Sequence, residues 1–207
     1  MSHVLYLGSK SKSRQQLLRD ADIPFVVLKQ DSDECAVELE EEFDRYVLAI
    51  AQEKMKHVEL PSPETTTKTI FVLTADSLAK GLTSGEIFGK PKDRADAKRM
   101  LRKHREEETL VTTACCLHLF TSEGSTWRYI DKREWCTSAT LSFHIEEELL
   151  DTYFARVPLA LHACGAAVIE GYGHNFLKRV NGSYAAILGL PLFELRQALN
   201  ELGFWQN

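Results

Sequence analysis

The stretch Val4-Leu5-Tyr6-Leu7-Gly8-Ser9-Lys10-Ser11-Lys12-Ser13-Arg14 decides the fold. Its apolar start makes a short strand from Val4 to Leu7, the glycine and serines make a polar turn, and Arg14 to about Ala21 has the spacing of a helix. Strand, polar turn and helix in that order open an α/β fold. The turn also lies where backbone N–H groups and the positive end of a helix dipole meet, a place that suits an anion. Two readings stay open for it: a phosphate site, or a solvated helix cap rich in serine. It is not a Walker A loop, because the GxxxxGK[ST] spacing is absent.

Downstream, strands and helices keep alternating. Phe25 to Leu28 reads as a second strand, Glu41 to Val58 as a long helix, and Thr69 to Thr74 as a β-branched strand that stops at Ala75-Asp76-Ser77. Gly81 to Gly85 forms a turn before Ile87-Phe88, and Asp93 caps a helix to about His104. Leu110 to Phe120 and Trp127 to Phe143 are long strands, Glu146 to Arg156 is helical, and Leu192 to Leu202 is the last helix. The pattern predicts an α/β class with a central mixed sheet flanked by helices, in a single domain over residues 1–207.

Composition narrows the classes further. The chain has 207 residues, 44% of them hydrophobic and 27% charged, enough for one sizeable core. Its 25 Lys and Arg against 30 Asp and Glu give a formal net charge of −5, which argues against a stable nucleic-acid partner bound by phosphate neutralisation. Five cysteines, Cys35, Cys115, Cys116, Cys136 and Cys164, are an odd number without a CxxC pair, so they read as reduced thiols of a cytoplasmic protein. No apolar run reaches the roughly 18 residues of a membrane span, and the start is too short and too soon broken for a secretory signal.

Several residues carry chemistry. Lys54 lies three helical turns after Phe43 and shares its face with Val47 and Ile50. It either faces a cleft as a phosphate ligand or packs its stem and lifts its ammonium to water. Asp76 at a strand's carboxyl end is placed as ligands are in α/β sheets, although such aspartates also serve as caps. With Glu34, which follows a different strand, it makes a carboxylate pair able to hold Mg²⁺ against substrate phosphates. Lys90 is fixed in an extended turn by Pro91. His162 and Cys164 read as packing residues on an extended chain rather than a nucleophile pair, and Cys115-Cys116 as a core residue beside a surface one. The acidic run from Glu38 to Glu42 reads as a solvated helix start.

Taken together, LYLGSKSKSRQQLL, Asp33-Glu34, Ala51-Gln52-Glu53-Lys54, Thr74-Ala75-Asp76-Ser77, Phe88-Gly89-Lys90-Pro91, Gly165 to Gly173, and Gly182-Ser183 through Gly189-Leu190-Pro191-Leu192 resemble the Maf family, the septum-formation-inhibitor proteins. The resemblance runs over nearly the whole chain. It implies an elongated two-lobed fold with a nucleotide cleft between the lobes, often a homodimer, and a nucleoside triphosphate pyrophosphatase that requires Mg²⁺ or Mn²⁺. It also implies Asp76 as general base or metal-bound carboxylate, Glu34 as a metal ligand, and Lys90 beside them in catalysis. Ser9, Ser11, Ser13, Arg14 and Lys54 would contact the triphosphate.

This chain also departs from the family pattern. Lys12 and Ser13 replace a proline and an arginine or tryptophan, and Ser77 replaces a threonine or glutamine thought to help select the base. Glu170 stands where the thymidine- and uridine-triphosphate branch has glutamine. The branch resembling 7-methyl-GTP pyrophosphatases has glutamate there, and its Leu-His-Cys-Ala-Gly is echoed by Leu161 to Gly165. A carboxylate only accepts hydrogen bonds and so matches guanine's N–H donors. The expected substrate is therefore a guanine-type or modified purine triphosphate. The alternative is a non-catalytic nucleotide-sensing regulator of cell division.

Overall fold

The computed structural model describes residues 3–33, 37–63 and 68–205. They fall into two compact units, the first comprising Met1–Asp76, Thr113–Thr137 and Leu188–Asn207, the second Ser77–Thr112 and Ser138–Ile187.

The first unit opens with β1 (Leu5–Leu7), α1 (Lys12–Asp20) and β2 (Phe25–Val27). A helix between two short strands permits a parallel pair, and Leu5 sits opposite Phe25 in parallel register. Ser11 caps α1 by accepting the Arg14 N–H, so the helix starts two residues before the sequence pattern alone indicates. In α2 (Phe43–Lys56), Phe43, Val47, Ile50, Ala51 and Lys54 form one buried face. The unit is completed by parts of β3 (Thr69–Gly81), β5 (Thr109–Glu123) and β6 (Thr126–Phe143), and by α6 (Leu192–Glu201).

Strand alternation assigns each residue of β3 to a face. Phe71, Leu73 and Ala75 join Leu18 of α1 and Leu195 and Leu199 of α6 in one core. Ile70 and Val72 pack on the other side with Met55 and Val58. Thr74 and Asp76 continue the second set and therefore look toward α2.

The second unit adds β4 (Ile87–Phe88), α3 (Arg94–Glu106), α4 (Leu150–Arg156), β7 (Leu177–Gly182) and α5 (Tyr184–Ile187). Asp93 caps α3 as its sequence predicts, its carboxylate accepting the Asp96 N–H at 2.8 Å. The hydrogen-bonded strand order is β2-β1-β3-β5-β6-β7, with β4 paired to β3. β1 pairs parallel with β2 and β3, while β3–β4 and β6–β7 are antiparallel, so the sheet is mixed.

Three expectations are corrected, and one strand that the sequence pattern did not indicate is added. The strand bearing Asp76 does not stop there but runs on to Gly81, because Ala79 and Lys80 pair with Phe88 and Ile87. β7 has no alternating signal in Leu177-Lys178-Arg179-Val180, since much of this edge strand is exposed. His162 and Cys164 lie in tight 3₁₀ turns at 158–162 and 164–166, where Pro158 starts one turn and Gly165 takes a φ of 66°. There the Cys164 thiol donates to the Phe88 carbonyl at 2.9 Å. Cys115 and Cys116 are both buried, because that part of β5 is covered on both faces, and burial pushes both thiols up from their ordinary range. Cys115, Cys116, Cys136 and Cys164 are free thiols. Among the described residues no helix is long and apolar enough to cross a membrane.

Candidate active site

The alternation of β3 and the periodicity of α2 bring a lysine and an aspartate together. Asp76 and Lys54 are each only 6% exposed, and the Lys54 ammonium donates to Asp76 Oδ1 at 2.5 Å. Either charge alone would be costly to bury, and their contact offsets part of that cost. The lysine does not lift its head to water. Thr74, two residues before Asp76 on the same strand face, donates its hydroxyl to the Ala51 carbonyl at 2.8 Å. Ala51 is one helical turn before Lys54, so strand and helix are joined by two neighbouring polar rungs.

The opening turn supplies the second group. Gly8 follows β1, and its N–H donates to the Leu73 carbonyl at 2.8 Å. A Cβ at Gly8 would lie 2.7 Å from Val58 Cγ2 and 2.9 Å from Thr74 Cγ2, so only glycine lets the turn approach β3 this closely. Ser9, 7% exposed, accepts through Oγ from Arg14 Nη1 at 3.1 Å and from the Ser11 N–H at 3.3 Å. Arg14 is itself buried and donates from Nε to the Gly189 carbonyl at 2.7 Å. The Gly189 to Leu192 turn thus holds the arginine that holds Ser9. With both lone pairs of Ser9 taken, its hydroxyl proton is the part left to donate to an incoming acceptor.

The structure gathers Ser9, Ser11, Arg14, Lys54 and Asp76 in the first unit, with Ser13 half-buried in the first turn of α1. Ser77, Lys90 and Glu170 belong to the second unit, Lys90 exposed and the other two half-buried. Glu34 lies outside the described residues. Among the described residues no three His, Cys, Asp or Glu side chains form a metal-binding group. Mg²⁺ does not need one, since one or two carboxylates with phosphate oxygens and waters satisfy it, and the buried carboxylate of Asp76 fits that donor set. Sequence reasoning missed Thr74 and the Gly189 carbonyl. The signal for Thr74 was a polar residue in an apolar strand, in step with Asp76; a backbone carbonyl leaves no signal.

The fold and site define an α/β protein with a buried lysine–aspartate pair beside a serine-rich turn at a helix start, a place that suits an anion. The family model for Maf-like proteins matches residues 4–202, and the chain belongs to that family. It is 32% identical over 207 residues to a dTTP/UTP pyrophosphatase of Hydrogenovibrio crunogenus, covering 100% of both chains. A dTTP/UTP pyrophosphatase of Acholeplasma laidlawii is 32% identical over 190 residues, 91% of each chain. One of Xanthomonas axonopodis pv. citri is 30% identical over 200 residues, 97% of this chain and 99% of that one.

Proposed function

We propose that this protein is a nucleoside triphosphate pyrophosphatase: water attacks the α-phosphorus, and nucleoside monophosphate and pyrophosphate leave. The observation that carries this is the buried Lys54–Asp76 pair in a chain of the Maf family. In this reading Asp76 takes a proton from the attacking water or holds the metal, and Lys54 fixes the direction of its carboxylate. Ser9 donates its hydroxyl to a phosphate oxygen, and Arg14, turned by Gly189, keeps that hydroxyl aimed. Ser11 and Ser13 border the same turn, and Lys90 adds positive charge where the leaving pyrophosphate builds up negative charge.

Asp76 and Glu34 would hold Mg²⁺ or Mn²⁺. A divalent ion bound there supplies Lewis-acid neutralisation of the triphosphate charge. For the base, Glu170 favours a guanine-type ring, 7-methyl-GTP included, because its carboxylate accepts from adjacent N–H donors, with Ser77 as the shorter second contact. The relatives' names favour a second reading, dTTP and UTP. The reading also takes residues 1–207 as one domain that pairs as a homodimer, which sedimentation checks.

Pyrophosphate release, measured with Mg²⁺ and with a chelator across dTTP, UTP, GTP and 7-methyl-GTP, tests the proposal. Release that the chelator abolishes is expected, fastest with the guanine nucleotides. Release much faster with dTTP and UTP replaces the Glu170 reading with the second one. No release from any triphosphate rejects the enzyme and leaves a nucleotide-sensing regulator.

A further inference from the structure

Thr74 is fully buried, and two of its atoms touch two different parts of the site. Its hydroxyl donates to the Ala51 carbonyl in α2, one turn before Lys54. Its methyl group stands where a side chain on Gly8 would collide, 2.9 Å from that Cβ position, immediately before Ser9. Its own strand carries Asp76 two residues on, with the side chain on the same face. A residue needed only to fill this space could be valine, which has the same shape and no hydroxyl to satisfy.

We infer that Thr74 is a positioning residue for the reaction: its hydroxyl sets the height of α2 against β3 and so the Lys54–Asp76 contact, while its methyl only fills space beside Gly8. The inference rests on the pyrophosphatase reading for its effect on turnover and on geometry alone for its effect on Lys54. Thr74→Val keeps the methyl contact and removes the rung to Ala51. Thr74→Ser keeps the rung and removes the methyl. The carboxylate of Asp76 must be aimed in the transition state more strictly than the triphosphate must be gripped in the ground state. Loss of the rung therefore falls on kcat before KM.

The test compares wild type, Thr74→Val and Thr74→Ser by pyrophosphate release, and by acylation of lysines in the nucleotide-free protein followed by mass spectrometry. Thr74→Val is expected to lower kcat about tenfold with KM within about twofold, and Thr74→Ser to restore kcat to within about twofold of wild type. In the same samples Lys54 should be acylated about threefold or more faster in Thr74→Val and at the wild-type rate in Thr74→Ser. Lys56, exposed on the same helix, serves as the internal control. Wild-type kcat and wild-type Lys54 acylation in Thr74→Val overturn the inference. So do equal rises at Lys54 and Lys56, which mark general loosening, and a loss of kcat that Thr74→Ser does not repair. If wild type releases no pyrophosphate, the pyrophosphatase reading fails by itself, and the Lys54 acylation still decides whether Thr74 positions the pair.

Discussion

Two buried polar clusters, one in each unit, solve the same problem in opposite ways. In the second unit His104 is 3% exposed, its Nδ1 2.6 Å from Thr109 Oγ1 and its Nε2 2.8 Å from the Gly165 carbonyl. Both ring nitrogens have neutral partners, and burial pushes the imidazole below its ordinary range, toward the uncharged form. In the first unit Lys54 and Asp76 are as deeply placed yet form a charge pair. A buried pair seldom stabilises more than apolar residues of similar volume would. The histidine cluster is therefore explained by packing, whereas packing alone gives no reason for the charge pair, which is the observation behind its proposed role in chemistry.

The largest expected effects test that division at Asp76. Asp76→Asn should lower turnover by about a thousandfold or more with nucleotide binding largely kept. Unchanged turnover would reject the role given to Asp76. For stability, Asp76→Leu removes the carboxylate that faces a buried ammonium and should cost about 3–5 kcal/mol in urea unfolding. The double variant Lys54→Met with Asp76→Leu should recover most of that loss while remaining inactive. A double variant as unstable as the single one would mean the pair is structural, like His104.

At His104 the expected pattern is reversed. His104→Ala opens a cavity and leaves Thr109 and Gly165 with unpaired groups, a loss of about 2–4 kcal/mol, with turnover per folded molecule within about twofold of wild type. Its pH dependence follows from the depressed native pKa. Between the unfolded value near 6.5 and the lower native one, the unfolded chain binds a proton that the folded chain does not. Stability is thus complete above about pH 7 and falls as pH drops through 6.5 toward the native value. His118, also pushed down by burial, adds a slope of the same sign. Urea midpoints between pH 7.5 and 5.5 should therefore drop less steeply in His104→Gln than in wild type. Equal slopes would show that His104 does not control this window.

The sequence made parts of this comparison readable and hid others for physical reasons. The buried face of α2, Lys54 included, follows from local periodicity, and the Asp93 cap from local side-chain chemistry. The site contacts of the opening turn are less local: Arg14 reaches a carbonyl 175 residues away. Likewise Thr74 and Ala51 are 23 residues apart and meet only because the strand's even-numbered face lies under the helix. The continuation of β3 past Asp76 depends on pairing with β4, which no window around Asp76 contains. Asp76 nevertheless sits beyond the last parallel pair, Leu7 with Leu73, which is why the strand-end argument reached the residue that meets Lys54 on a strand that does not end there.

The smallest expected effect marks the other limit of the comparison, a charge pair with neither burial nor chemistry. Arg102 of α3 makes a two-pronged contact with Glu147, Nε to Oε2 at 2.9 Å and Nη2 to Oε1 at 2.5 Å. Its geometry rivals that of Lys54 and Asp76, but the side chains are 43% and 51% exposed. Water and salt screen both charges, and holding two long side chains in one arrangement costs rotamer entropy, so the contact adds little to stability. Arg102→Ala should move the melting temperature by under about 2 °C, and 0.5 M salt, about the ionic strength needed to screen such contacts, should erase the difference. A larger shift that persists in salt would show that geometry, rather than burial, sets the strength of ion pairs in this protein, and would weaken the reasoning that singles out Lys54 and Asp76.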